Sequence, residues 1–339
     1  HEHLVSYILG SVEFMGAGED EAALVSVPPY HIAGISAAMS NIYACRQVVQ
    51  LSNFEPDEWL RLCEAEKVTS AFVVPTMLTR IIEELDDTDL DLSKLQSLRA
   101  IAYGGGKMPI PVIERALRLF PDTNFTNAYG LTETSSTITL LDPDDHRAAI
   151  DHDDAAVHAR LGSVGKPLPS IELQIRDDEG KSLGSWEAGE IYVKGPQVSG
   201  EYDEKSVLDD DGWFPTRDAG YLDDNGYLYL SGRADDVIVR GGENMSPGEI
   251  EDLLHRHPAI SDAAAVGMPS EEWGEVVALA VVTAQGHEIT DDELRQHIRE
   301  HLRSSRVPEV IHFTSELPYN ETGKLLRRVV REWFVLEGD

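Results

Sequence analysis

The sequence predicts an α/β protein in two parts: a large unit built on a mostly parallel sheet, then a smaller α+β unit. Three observations carry this expectation. Between residues 1 and 160, short apolar runs alternate with stretches of helical apolar spacing, the pattern of parallel strands with helices between them. From 161 to 234 the strand-like runs lose their intervening helices, which suggests a small antiparallel, barrel-like part. From 235 to 339 helix and strand patterns mix again, over a length ordinary for a domain.

Taken in order, residues 4–14 are mostly apolar and read as a helix. Ala23 to Val27 form a buried strand running into Pro28-Pro29-Tyr30-His31-Ile32-Ala33-Gly34. The spacing of Trp59, Leu60, Leu62 and Cys63 places a helix over 57–67, with a strand over 71–75 and another helix over 76–85. The acidic stretch 83–91 reads as a solvated loop, because its spacing enforces no metal geometry. A strand over Leu98 to Tyr103 stops at Gly104, Gly105 and Gly106. Glycines there let backbone approach a ligand at the carboxyl end of a parallel sheet; equally, they make a tight turn into the helix opened by Pro109 and Pro111.

Asn127-Ala128-Tyr129-Gly130-Leu131-Thr132-Glu133-Thr134 offers a tyrosine face for stacking on a base, a hydroxyl for a phosphate and a carboxylate suited to Mg²⁺. Its plain alternative is a strand end with a helix cap. The Asp-rich run 140–161 reads as loop, and its His146, His152 and His158 have neither helical ligand spacing nor cysteine partners for zinc. Strands follow over 171–175 and 190–193, then a hairpin of 220–222 and 227–230 around Asp223-Asp224-Asn225-Gly226. The charged run Gly232 to Asp236 marks a domain boundary. Beyond it, Ser246, Pro247 and Glu249 form a capping-box signature for a helix over 247–256. Strands over 262–267 and 276–283, a helix over 290–303, a strand over 309–314 and a helix from about 325 complete the pattern.

Composition narrows the function. No apolar run approaches the roughly 18 residues of a membrane helix, and no signal peptide is visible. A formal charge of -33 argues against broad binding to nucleic acid or anionic membranes. Cys45 and Cys63 fit no metal or redox spacing and read as free thiols in or near the core of a cytoplasmic protein. Gly104-Gly105-Gly106-Lys107 and Gly323-Lys324-Leu325 both lack the Ser or Thr that completes a P-loop.

Gly212-Trp213-Phe214-Pro215-Thr216-Arg217-Asp218, then Gly232-Arg233-Ala234-Asp235-Asp236-Val237-Ile238, then Pro247-Gly248-Glu249-Ile250-Glu251 follow the order GWxxTGD, GRxDDxI and PxEIE. With Tyr129-Gly130-Leu131-Thr132-Glu133 upstream and the 317–324 run LPYNETGK downstream, the chain resembles the adenylate-forming superfamily. That superfamily contains acyl- and aryl-CoA ligases, peptide-synthetase adenylation domains and luciferases. Two positions depart from its pattern. Arg217 stands where glycine is usual, and Tyr319 where a basic residue is common.

The resemblance implies an adenylate-forming domain over 1–234, a hinge at Asp235 and a mobile α+β domain over 235–339. It implies activation of an apolar carboxylic acid, aromatic or medium-chain, by ATP and Mg²⁺ to an acyl-AMP, and transfer to CoA. Transfer to a carrier-protein thiol or an amine stays open, as does a non-catalytic remnant that only binds nucleotide or acid. By the same resemblance Lys324, Thr132 and Glu133 are catalytic, with Glu133 also on the metal. Gly104, Gly105, Gly106, Asn127, Tyr129, Gly130, Asp218 and Arg233 surround the nucleotide, and Gly241 and Gly242 flank the pantetheine arm. His31, Ile32, Gly34 and Tyr103 line the acid pocket. The family's phosphate loop lies just upstream of the position matched by His1. The resemblance therefore implies a C-terminal portion that needs an upstream part for activity, in the same polypeptide or as a separate chain.

Overall fold

The computed structural model describes the chain except residues 89–90, 178, 200, 203–204, 234–235, 242, 271, 321–324 and 337–339, and except the side chains of 201–202, 205–206, 244 and 335–336. Three expected functional residues, Asp235, Gly242 and Lys324, lie outside the described residues.

Short apolar strands build the main sheet of the first unit. They are β1 (Ala22–Val25), β2 (Gln47–Gln50), β3 (Ser70–Val73), β4 (Ala100–Gly104), β5 (Asn124–Leu131), β6 (Ser136–Leu141) and β7 (Lys166–Pro167), in the order β2-β1-β3-β4-β5-β6-β7. Pairing from β2 to β5 is parallel; β6 pairs antiparallel with both β5 and β7. Helix α1 (Glu2–Ser11) precedes the sheet, and α2 (Ile32–Tyr43), α3 (Pro56–Ala65), α4 (Pro75–Asp87) and α5 (Ile110–Leu119) connect its parallel strands. Proline in the first turn of α3, α4 and α5 starts each of them at no hydrogen-bond cost. Trp59, Leu78, Ile81, Ile101, Ile113, Leu117 and Phe125 pack between these helices and the strands.

The region 140–161 is not the loop its composition suggests. Strand β6 runs to Leu141, and α6 (Pro143–Ala149) and α7 (Ala155–His158) follow. Aspartates that read as loop are caps: Asp142 accepts from the Asp145 amide and Asp154 from the Ala156 amide. The histidines disperse. His158 pairs with Glu114, His152 accepts from the Asp154 amide, and His146 is fully buried. The Tyr103 hydroxyl lies 2.8 Å from His146 Nε2, and His146 Nδ1 lies 2.7 Å from the Asp142 carbonyl. A carbonyl only accepts, so Nδ1 carries the proton and Nε2 takes the tyrosine's. Burial lowers the histidine's proton affinity, which keeps this neutral tautomer.

Tyr103 is itself fully buried in this contact. Contrary to expectation, it is therefore not a residue of the acid pocket. The cysteines also split. Cys63 is buried, and burial pushes its thiol well above the usual range; Cys45 is exposed, at φ 59°.

Strands β8 (Glu172–Arg176), β9 (Gly189–Lys194), β12 (Phe214–Leu222) and β13 (Leu228–Arg233) form a four-stranded sheet, and β10 (Glu201–Tyr202) pairs with β11 (Lys205–Ser206). Asp223 accepts from the Asn225 and Tyr227 amides, and Gly226 takes φ +80°, which closes the expected hairpin. Two compact units divide the chain. The first comprises His1–Thr216 and Tyr221–Leu230, and the second Arg217–Gly220 with the residues from Ser231 onward, apart from 321–323.

In the second unit β14 (Ile238–Arg240), β15 (Glu243–Met245), β16 (Ile260–Ser270) and β17 (Gly274–Thr283) form the order β15-β14-β17-β16, and β18 (Val310–Phe313) runs parallel to β17. The sheet packs with α8 (Pro247–Leu254), α9 (Asp291–His301) and α10 (Arg327–Leu336). Ser246 caps α8 through the Gly248 amide, but the capping box expected there does not form: Glu249 accepts from Arg306 Nε at 2.9 Å instead. The reciprocal box sits on α9, between Thr290 and Glu293.

Tyr103→Phe leaves the Nε2 of His146 without its donor. It is expected to lower stability by about 1–3 kcal/mol in denaturant titration, while leaving acid affinity unchanged.

Candidate active site

A cavity of about 280 Å³ lies within the first unit, at the carboxyl end of its parallel strands, where open α/β sheets receive ligands. One wall is α2. Its residues Ala33, Ser36, Ala37 and Ser40 share a helical face, and His31 and Ile32 stand at its start. The sheet supplies Val27, Phe72, Val74, Ala102 and Thr126 to the lining, with Gly105, Ala128 and Gly130 where β4 and β5 end. Ser136, Thr137 and Leu140 of β6 also line it.

His31 caps α2, its Nδ1 accepting from the Ala33 amide at 3.3 Å. Burial lowers its pKa, so near neutral pH it is an uncharged donor through Nε2. His31 is thus at once a satisfied cap and a residue facing the cavity.

The expected glycines divide by what constrains them. A Cβ on Gly104 would lie 2.2 Å from the Ala128 carbonyl oxygen, one on Gly130 1.8 Å from that of Ser136, and one on Gly34 2.2 Å from that of Pro28. These three are required by backbone packed against backbone. Gly105 alone combines a left-handed φ of +84° with a place in the lining.

Thr132 and Glu133 sit in the four-residue turn between β5 and β6, which is a hairpin turn rather than the start of a helix. The Thr134 hydroxyl accepts from the Leu131 amide at 2.9 Å and lies 2.9 Å from the Ser136 carbonyl. Gln197, almost fully buried, donates from Nε2 to the carbonyls of Thr134 (3.1 Å) and Thr137 (2.7 Å). The Ser199 amide donates to the Glu133 carbonyl at 2.7 Å. Thr132 is exposed and Glu133 half-buried, so both side chains project from a pinned turn. One hard carboxylate there fits Mg²⁺, which usually takes one or two protein carboxylates and completes its shell with water and phosphate. Among the described residues, no cluster of three or more His, Cys, Asp or Glu forms a metal cage.

Asn127 is buried, its Nδ2 donating to the Ser163 carbonyl at 3.0 Å. Tyr129 is buried in a cluster with Ile138, Val164 and Phe214. Gly106 is exposed and does not line the cavity.

The second unit holds the other expected residues. Arg233 Nη1 lies 3.0 Å from Asp218 Oδ1. The Gly241 amide donates to the Trp273 carbonyl at 2.7 Å, with Gly241 at φ +57°. The Tyr319 hydroxyl, at the commonly basic position, donates to Asp262 at 2.8 Å. Gly34, expected in the acid pocket, is not in the lining, and sequence reasoning missed the cavity face of α2 beyond Ala33 and the Gln197 clamp. Helical spacing after His31 signalled the first; nothing in sequence announces the second.

Comparison with known proteins agrees with this geometry. The model of AMP-binding enzymes matches residues 1–203, and that of the AMP-binding enzyme C-terminal domain matches 249–324. The chain belongs to this family. It is 35% identical to a 2-succinylbenzoate–CoA ligase of Bacillus cytotoxicus over 328 residues, covering 96% of this chain and 64% of that protein. Its fold matches an amide bond synthetase from Marinactinospora thermotolerans (TM-score 0.86, 31% identity, 98% of this chain and 65% of that one). It also matches o-succinylbenzoate CoA synthetase from Bacillus subtilis in complex with its acyl-adenylate intermediate (TM-score 0.82, 31% identity, 97% and 64%). The chain thus spans 64% of the length of the curated relatives it matches. These matches bear out neither a missing phosphate loop, nor a separate upstream chain, nor a carrier-protein acceptor.

Gly130→Ala drives a methyl into the Ser136 carbonyl. It is expected to cost more than about 3 kcal/mol by thermal or chemical unfolding. At the position that departs from the family pattern, Arg217 takes φ 59°, a conformation costing roughly 1–2 kcal/mol for a residue with a Cβ. Arg217→Gly and Arg217→Ala both remove the guanidinium, but only alanine keeps the strain. The glycine variant should be the more stable of the two by about 1 kcal/mol, and equal midpoints would refute the strain.

Proposed function

We propose that this chain carries the acid-activating machinery of an AMP-forming acid–thiol ligase, turning an apolar carboxylic acid, aromatic or medium-chain, into an acyl-adenylate and then a CoA thioester. The observation that carries the reading is the cavity at the carboxyl end of the parallel sheet, bordered by His31, Gly105 and the strand that leads into the Thr132–Glu133 turn, in a chain of the AMP-binding family.

In the first half-reaction an acid oxygen attacks the α-phosphorus of ATP, and the bond from that phosphorus to the bridging oxygen breaks as pyrophosphate leaves. Two anions must meet, so charge compensation is the main requirement. In this reading Lys324, singled out by its motif, is the compensating cation. The Thr132 hydroxyl donates to an α-phosphate oxygen, and Glu133 is the carboxylate that would hold Mg²⁺. The metal, when bound, offsets charge on the phosphates. Asp218, positioned by Arg233, accepts from the ribose hydroxyls. In the second half-reaction the thiol sulfur attacks the acyl carbonyl and AMP leaves, the thiol proton passing to solvent. Rotation about Asp235 brings Gly241 and Gly242 to the pantetheine arm, where a side chain would obstruct it.

A second reading, an amine as acceptor, is supported by the likeness to an amide bond synthetase. The two share the first half-reaction and differ in the second.

Pyrophosphate release on mixing the protein with ATP, Mg²⁺ and a panel of acids tests the reading, with hydroxylamine added to trap the adenylate. Lys324→Ala is expected to slow release roughly a hundredfold or more. Adenylate formation at the parent rate in that variant would remove the lysine from the mechanism. Product analysis with CoA and with amines present separates the two acceptors.

A further inference from the structure

The relatives that name their acid name 2-succinylbenzoate, an aromatic acid with two carboxylates. One carboxylate reacts with ATP and the other must be housed. Among the described residues the cavity lining offers no cation to pair with it, neither Lys nor Arg. His31 is neutral near pH 7 because burial lowers its pKa, and its Nδ1 is already engaged as the cap of α2. The Ser36 hydroxyl is turned back onto its own helix, 2.6 Å from the Ile32 carbonyl. The rest of the lining is apolar surface, including Val27, Ile32, Ala37, Phe72, Val74 and Leu140, together with the uncharged hydroxyls of Tyr7, Ser40, Thr126, Ser136 and Thr137.

A carboxylate moved from water into such surroundings loses its hydration without gaining a counter-charge, a far greater penalty than that for a neutral group of the same size. The volume sets a second limit. An apolar cavity of about 150 Å³ takes one benzene ring, so about 280 Å³ suits a substituted ring or a medium chain.

Resting on the acid-activating reading above, we infer that this cavity selects monocarboxylic acids with an uncharged, compact apolar body and rejects acids with a second anionic group. The acid then differs in class from the one its ligase relatives name. Selection acts through the face of α2: Ala37 limits the size of the acid, and the uncharged Ser40 leaves a second carboxylate without a partner.

The test is direct binding to the full chain by saturation-transfer NMR and calorimetry, with and without AMP, using 4-ethylbenzoate against phthalate and 2-succinylbenzoate. Expected are saturable binding of 4-ethylbenzoate and at least roughly hundredfold weaker binding of both dicarboxylates. Ser40→Lys supplies the missing cation and should narrow that gap about tenfold or more by improving the dicarboxylates. Ala37→Phe fills the cavity and should abolish 4-ethylbenzoate binding while circular dichroism shows an unchanged fold. Dicarboxylates that bind the parent chain as tightly as 4-ethylbenzoate overturn the selectivity and leave the acid-activating reading standing. If none of the three acids binds, the cavity is not an acid site, and both readings fall together.

Discussion

The structure depends on backbone meeting backbone at the carboxyl end of the parallel sheet. Gly34, Gly104 and Gly130 each stand where a Cβ would lie 1.8–2.2 Å from a carbonyl oxygen of another segment. Their lack of a side chain lets α2 close over the loop after β1, lets β4 lie against β5, and lets β5 fold back into β6. At the last of these the pairing register shifts between Tyr129 and Gly130. Such irregularities re-aim the residues that follow, and here those are Thr132 and Glu133. Gln197 and Thr134 then satisfy carbonyls in and beside the turn, so the two residues proposed to act on the phosphate and the metal are carried on a fixed bend. The cavity is the space that these approaches leave between α2 and the strands.

Charge is arranged around the same problem. In the proposed reaction a chain of formal charge -33 receives a triphosphate and a carboxylate, and several of its arginines are already held by carboxylates. Arg233 pairs with Asp218. Arg306 pairs with Glu243 and Glu249, and holds the Glu243 carboxyl below its ordinary pKa. Arg327 Nη2 lies 2.9 Å from Glu251, whose other oxygen also accepts from the Ala265 amide at 2.9 Å. Arginines committed in this way orient carboxylates and loops. Cations so held are not free to compensate a phosphate, and in the proposed reaction that role falls to Lys324.

Much of this was legible in the sequence because it is local. Alternating apolar runs gave the parallel sheet, Asp223 to Gly226 gave a hairpin, and the ordered motifs gave the family. The failures have physical causes. Asp142 and Asp154 read as loop because an aspartate favours a cap and a turn for the same hydrogen-bonding reason. Tyr103 was placed in the pocket by the resemblance, yet side chains alternate along a strand. Ala102 faces the cavity and Tyr103 goes to His146, a partner 43 residues away. The capping box drawn on Ser246 and Glu249 is absent because a buried arginine 57 residues away outcompetes the local bond. Gln197, 60 residues or more from the carbonyls it binds, could be found only once the chain was folded.

The division of labour between the two units bears on how one scaffold serves different acceptors. The cavity is built entirely from elements of the first unit, whose helix α2 and strands have their backbone bonds satisfied internally and change shape reluctantly. Selection of the acid, as proposed, therefore rests on fixed packing, one side chain at a time. In the proposed reaction acceptor chemistry falls, by contrast, to Gly241 and its neighbours in the second unit, where a left-handed glycine is tied to the Trp273 carbonyl. Folds as alike as those of a CoA synthetase and an amide synthetase can then differ in acceptor without altering how the acid is held. In the same reading a change of acid calls for substitutions in the cavity lining, on α2 and the facing strands, because the ATP chemistry makes the same electrostatic demand whatever apolar body the carboxylate carries.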